Sequence, residues 1–506
     1  MLSNIYTIAL TGINGTLVKI ETGISTGIPK FEIVGLPDIS IKESKERIIF
    51  AIKNSELHFP SAKVIVNLSP ADVKKEGASY DLPIAIGILQ TVGIIKQQDF
   101  SQSVFIGELG LDGKIKKVNG VLAMCIEAKK IGIKRIFLPK ENKKEASFLK
   151  NIEIIPVHDM KELIKYLNGE ICIKYENEKI EDFVNKKEEY NYKFEQIYGQ
   201  ENVKRALEIA VAGNHNCLIY GTPGTGKTIL SKSIQSILPD VTVDEALEIT
   251  KIYSVSGKLK NGEICTQRPF RSPHHSISMA SMIGGGKKPS PGEITLAHLG
   301  VLYLDEIAEF KKDTLEALRE PIEDKKIIIN RVNYTVDYPC EFLLIASMNP
   351  CPCGYYGSKK VECSCNDLQR IKYCKKISGP FQDRIDLKVN AIEVEYKKII
   401  ENNNKSQLSS EIVKQKVNEV RKIQKERYKN ENICLNSELN TSLIKKYCKI
   451  DKESSLLLEQ AFKKFNLSVR GYNKILKVAR TISDLDNEEN IRVKHIAEAI
   501  QYRCQE

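Results

Sequence analysis

The sequence predicts an α/β protein made of two mixed segments and a helical tail. Three observations carry this. An apolar run, a glycine-rich loop and a helically spaced run follow one another over 217–237. Strand-like and helix-like runs alternate from residue 1 to about 168. From about Tyr396 onward the pattern becomes the charge spacing of solvated helices.

In chain order, the first segment (1–168) places strands at 63–68 and 103–106 and a helix at 41–57, the alternation expected of an α/β domain. A polar, charged stretch around 174–190 reads as a linker spanning 169–192. The second segment (193–395) holds the glycine-rich loop and two later apolar strands, 301–304 and 342–348. The third (396–506) has helical spacing at 413–427, 454–465 and 467–480. Three domains suit a chain of 506 residues.

Composition narrows the class. No apolar run approaches a membrane span, and the N-terminus lacks a basic region followed by a long apolar stretch, so a cytoplasmic protein without membrane contact is expected. Thirteen cysteines in such a setting point to reduced thiols or metal ligands rather than a disulfide framework. The net charge of +11 suits a polyanionic partner, although many lysines alternate with glutamates on helix faces.

The chemistry concentrates in the second segment. Gly221, Thr222, Pro223, Gly224, Thr225, Gly226, Lys227 and Thr228 fit the pattern of two glycines, four intervening residues, then Lys and Thr. Glycines let the backbone turn its N–H groups toward a polyphosphate, Lys227 reaches the outer phosphates, and the Thr228 hydroxyl ligates Mg²⁺. The strand 301–304 ends in Asp305 and Glu306, the first suited to hold Mg²⁺ and the second to act as general base on water. Asn349 ends the next strand, where it could orient that water or simply form the turn. Arg384 lies in a short polar island and is a candidate to neutralise charge on a transferring phosphoryl group, with a surface salt bridge as the alternative. Arg470 stands near the start of a helix in the third segment, as a phosphate contact or a surface residue.

Together these residues resemble an AAA+ ATPase. The stretches 271–278, 284–286, 291–306 and 349–354 narrow the resemblance to the magnesium-chelatase-like group, and within it to the ComM/YifB competence-protein family. The resemblance covers nearly the whole chain. It implies an αβα nucleotide-binding core with a helical lid, ATP and Mg²⁺ as ligands, and a homo-oligomeric ring, usually a hexamer. It implies too that Arg384 reaches a neighbour's site, and that the ring works on single-stranded or branched DNA as a branch-migration or helicase motor in recombination of incoming DNA. The alternative is a chelatase-type motor that remodels a protein partner.

Three stretches of the first segment, 73–82, 107–115 and 131–139, resemble the Lon protease domain. Ser79 falls at the position of the serine nucleophile, but the lysine position falls on Leu122. Leucine cannot accept a proton, so the resemblance implies a Lon-like fold without peptidase activity. Finally, Cys351, Cys353, Cys363 and Cys365 form two close pairs across a loop, with Cys374 as an alternate ligand. Four thiolates can close a tetrahedral zinc site; the other reading is reduced thiols packing a loop. His274 and His275 lack a third ligand nearby in sequence and suit a loop role.

Overall fold

The computed structural model describes residues 2–173, 190–286, 289–331, 334–358, 360–393 and 409–503. Most of the expected linker and the expected boundary at 395/396 lie outside the described residues. Packing divides the chain into two compact units.

The first unit comprises residues 1–186 together with 242–266. Leu2–Thr11 and Asn14–Ser25 form a long antiparallel hairpin, extended by Lys63–Ser69 and then by Lys30–Val34, which runs parallel to it. A second, all-parallel sheet has the order Ser103–Phe105, Arg135–Pro139, Glu153–Val157. The helix Ile39–Asn54 starts where the Asp38 carboxylate accepts the Ile41 N–H at 2.8 Å, a side-chain cap that satisfies an otherwise orphaned donor. The almost wholly buried helix Asp81–Val92 packs on the hairpin. Ser79 is buried in the single turn Ala78–Tyr80, its carbonyl accepting from Gly107 N–H at 3.2 Å. Leu122 is fully buried among Ile8, Val104 and Ile136. The leucine that the Lon resemblance sets against a lysine is thus an apolar side chain in an apolar cluster.

The second unit comprises 187–241 and 267–506. Its centre is a five-stranded parallel sheet ordered Phe270–Arg271, Gly300–Leu304, Phe342–Met348, Cys217–Gly221, Leu387–Ala391. Alternate side chains feed two cores: Ile219, Tyr303, Ile345 and Val389 on one face, Leu218, Leu302, Leu304 and Leu344 on the other. Burial on both faces explains why these strands read as unbroken apolar runs. The C-terminal helices Ser410–Arg427 and Val469–Leu485 complete the first of these cores through Val413, Val417, Ile475 and Ile482.

Packing and the sequence-drawn segments part company at two places. The third segment shares its hydrophobic core with the second and is no separate compact body. Residues 242–266, inside the 193–395 span, belong to the first unit. There the helix Val243–Val255 buries Ala246, Ile249 and Ile252, Ser254 Oγ donates to Glu145 at 2.6 Å, and the Ser254 carbonyl accepts from Gly120 N–H at 3.1 Å.

Candidate functional site

The carboxyl ends of the parallel strands bring the expected nucleotide residues together. The strand Cys217–Gly221 runs into the glycine loop and then into the helix Lys227–Ser233. Gly224 and Gly226 adopt φ of 81° and 83°, where a Cβ would be strained, and nothing lies within 4 Å of the position it would take. The loop therefore faces open space with its backbone bare, as a polyphosphate cradle requires. Lys227 Nζ donates to the Gly221 and Thr222 carbonyls at 2.6 and 3.0 Å and to Asn349 Oδ1 at 3.1 Å. Burial lowers its pKa from the ordinary lysine value, against the opposing pull of Asp305 and Glu306.

The Mg²⁺-binding candidates meet in the same place. Thr228 Oγ1 donates to Asp305 Oδ2 at 3.1 Å. The other carboxylate oxygen of Asp305 accepts from Tyr303 OH at 2.8 Å and from Ser347 Oγ at 2.5 Å. Ser347 also accepts the Glu306 N–H at 3.1 Å. Glu306 is exposed and left-handed, with φ 52° and ψ 53°, so its strand ends in a sharp turn. A hydroxyl and a carboxylate held face to face are hard oxygen donors suited to Mg²⁺.

Gln200 ties the loop down from outside the motif. It is itself left-handed at φ 62°, its amide N–H donates to the Thr225 and Ile392 carbonyls at 3.1 and 2.5 Å, and its oxygen accepts Ile392 N–H at 3.2 Å. Ser347, Tyr303 and Gln200 escaped the sequence reading. The only signal available for Gln200 was a Gly-Gln pair directly before a helix, and for the other two their alternation with the recognised acids and Asn349.

The two arginines stand elsewhere. Arg384 pairs with Glu323 at 2.8 Å and donates to the Pro380 carbonyl at 2.9 Å, with no bond to the nucleotide loop among the described residues. Arg470, in the first turn of Val469–Leu485, is exposed, with no side-chain partner among the described residues. Arg271 and Glu293, from two separately recognised stretches, form a bidentate pair at 2.7 and 2.8 Å. The rings of His274 and His275 lie 4.0 Å apart between centres and tilted by 35°, with no third metal ligand grouped with them among the described residues.

The thiols of Cys351, Cys353, Cys363 and Cys365 all lie within 4.8 Å of one another; Cys374 is not in the group. Sulfur separations of 3.3, 3.7 and 3.6 Å join the first three. A zinc tetrahedron with bonds of about 2.3 Å has edges of about 3.8 Å, so the cluster is close to ligand geometry. The backbone N–H groups of Cys353, Tyr356 and Cys365 point at cysteine sulfurs at 3.3–3.4 Å, an arrangement that favours thiolates. Hydrogen bonding from Tyr355 N–H and the neighbouring thiols pulls Cys353 well below the ordinary thiol value, while the same crowding of thiols pushes Cys363 and Cys365 up, so one thiolate forms readily and a cation is needed to hold the rest. The donor set fits a structural zinc ion held by all four.

Comparison with known proteins gives the family. The family model "Magnesium chelatase, subunit ChlI" matches residues 193–399, "Subunit ChlI of Mg-chelatase" matches 20–142, and "Magnesium chelatase, subunit ChlI C-terminal" matches 407–503. The chain is 39% identical over 504 residues to the competence protein ComM of Haemophilus influenzae, covering 99% of this chain and 97% of that protein. It is 39% identical over 503 residues to the uncharacterised protein YifB of Escherichia coli, covering 99% and 97%. Similarity to the magnesium-chelatase subunit ChlI of Cyanidium caldarium is 28% over 195 residues, 33% of this chain and 55% of that one. No described helix is long and apolar enough to cross a membrane.

Proposed function

Because the chain belongs to the ComM/YifB family of magnesium-chelatase-like AAA+ proteins, we propose that it is an ATP-hydrolysing ring motor acting on DNA. The observation that carries the ATPase reading is the convergence of Lys227, Thr228, Asp305 and Asn349 around an open glycine loop. In this reading Lys227 exchanges its carbonyl partners for the outer phosphates. Thr228 and Asp305 hold Mg²⁺, which neutralises phosphate charge. Glu306, the exposed acid, takes the proton of the attacking water, and Asn349 orients that water. Arg384 acts on the neighbouring subunit of a homo-oligomer, a hexamer in the family's usual form, once it leaves Glu323. Arg470 reaches phosphate from the helical lid. The four cysteines hold structural zinc.

The DNA reading rests on full-length similarity to a competence protein and on the +11 charge. A motor that grips a polyanion binds it less tightly as salt rises, through counterion release. The test is ATP turnover with and without single-stranded, duplex and branched DNA, at low and moderate salt. Turnover that rises with DNA and binding that weakens with salt are expected. Flat turnover with assembled rings would transfer the proposal to a chelatase-type motor that remodels a protein.

A further inference from the structure

The cysteine knuckle and the nucleotide loop are in direct contact. Gly354, at φ 87°, backs onto Pro223: a Cβ at this position would lie 2.8 Å from Pro223 Cγ, so only hydrogen fits. On the far side of the knuckle, Ser358 Oγ donates to Glu393 Oε1 at 2.8 Å. The same carboxylate oxygen accepts from Thr222 Oγ1 at 3.3 Å. Two arms thus run from the knuckle to adjacent residues of the loop, Thr222 and Pro223. Beside them opens a cavity of about 1340 Å³ lined in part by Gly221, Thr222, Tyr356, Arg370 and Glu393.

The knuckle has little else to keep its shape. Between Cys351 and Cys365 no residue among those described belongs to a helix or strand. Its own hydrogen bonds are local turns, such as Gly354 N–H to the Cys351 carbonyl at 3.0 Å and Lys360 N–H to Ser358 Oγ at 3.1 Å, and none of these turns spans from 351–353 to 363–365. What joins the 351–353 half to the 363–365 half is the sulfur cluster itself. A loop without secondary structure gains its order from a cross-link, and four thiolates on one ion supply it.

We propose that zinc bound by Cys351, Cys353, Cys363 and Cys365 braces the nucleotide loop through Gly354 and Ser358, so that metal occupancy sets nucleotide affinity. This rests on the zinc and ATP readings above and adds to them a coupling between the two sites. Zinc is the ion of choice because four sulfur donors close a tetrahedral site with no position left for substrate, the form of a structural centre.

The experiment uses the full chain. Zinc per chain is measured by elemental analysis, and affinity for a fluorescent ADP analogue by titration, which needs no hydrolysis. Wild type is expected to carry one zinc per chain. The Cys363→Ser/Cys365→Ser variant is expected to lose the metal and at least fivefold in affinity. Gly354→Ala is expected to keep its zinc and lose affinity to a similar degree, because its methyl group displaces Pro223; retained zinc also reports a folded knuckle. A metal-free variant, or Gly354→Ala with zinc retained, that binds nucleotide as wild type does would overturn the brace while leaving both underlying readings intact. Wild type without zinc would overturn the metal reading and the proposal with it. Wild type with zinc and no nucleotide binding would overturn the ATP reading instead.

Discussion

Ser347 does two jobs with one oxygen. It donates to Asp305 and accepts the backbone N–H of Glu306, so it fixes the rotamer of one acid and the strained backbone of the other. Ser347→Ala leaves the Glu306 N–H without its acceptor and gives Asp305 one donor fewer, at a cost of about 1–3 kcal/mol. If Asp305 holds the metal, this variant should require more Mg²⁺ for half-maximal ATP turnover and turn over roughly tenfold more slowly. Titration of Mg²⁺ at saturating ATP checks it; an unchanged Mg²⁺ requirement would limit Ser347 to a packing role. The neighbouring Glu306→Gln should bind nucleotide normally but hydrolyse ATP about 10²- to 10⁴-fold more slowly, since the amide keeps the shape and loses the base. Hydrolysis near the wild-type rate would place the base elsewhere.

Between elements, the link that matters joins the arginine segment to the lid helix. Asp386 pairs with Lys474 at 2.7 Å, and Arg503 donates to the Ile385 carbonyl at 2.6 Å, so the residues just after Arg384 are clamped by two C-terminal helices. Behind them lies His215, fully buried, its Nε2 2.7 Å from Thr481 Oγ1. Burial would push the Asp386 carboxyl up, but Lys474 and His215 hold it well below the usual carboxylate range. Asp386→Asn removes the counter-charge of the largely buried Lys474 ammonium, leaving it the Ile385 carbonyl, and should cost about 3 kcal/mol at pH 7. Because the folded pKa is the lower one, that difference should stay constant down to about pH 5 and shrink only below the unfolded aspartate's range, near about 4. Burial lowers His215 from its ordinary 6.5. The unfolded histidine then binds its proton more readily than the folded one, so stability should fall as pH drops below 6.5, and His215→Gln should flatten that slope. Denaturant unfolding of wild type and both variants from pH 7.5 to 3 would show it; a His215→Gln curve parallel to wild type between pH 7 and 5, or an Asp386→Asn difference that does not shrink below about pH 4, would mean these groups do not govern the pH response.

At the scale of the molecule, an arginine tied to Glu323 in its own subunit makes a trans role testable. Arg384→Ala and Lys227→Ala subunits, each inactive alone, should recover part of their ATP turnover when mixed, since some interfaces then pair an intact loop with an intact arginine. No recovery in rings shown to be mixed would argue for a role within one subunit or none. The glycine loop, the paired acids and Asn349 could be read from the sequence because contiguous residues and strand ends carry them. Gln200 and the Asp386–Lys474 pair could not, because their meaning depends on partners far away in sequence. The allegiance of 242–266 was hidden for a different reason: an amphipathic helix shows the same pattern whichever core it faces.

That excursion makes the protein indivisible by a single cut. The chain leaves the second unit at Val241, directly after the nucleotide-loop helix and the turn that follows it, and re-enters at Gln267, just before the edge strand Phe270–Arg271. A fragment beginning at residue 187 would carry the helix Val243–Val255, with its buried Ile249 and Ile252, without the unit it packs in. It should aggregate unless 242–266 is replaced by a short polar bridge, and size-exclusion chromatography of the two fragments would tell them apart. The same threading means that a substitution within 242–266, though it lies between two stretches of the second unit, acts on the packing of the first.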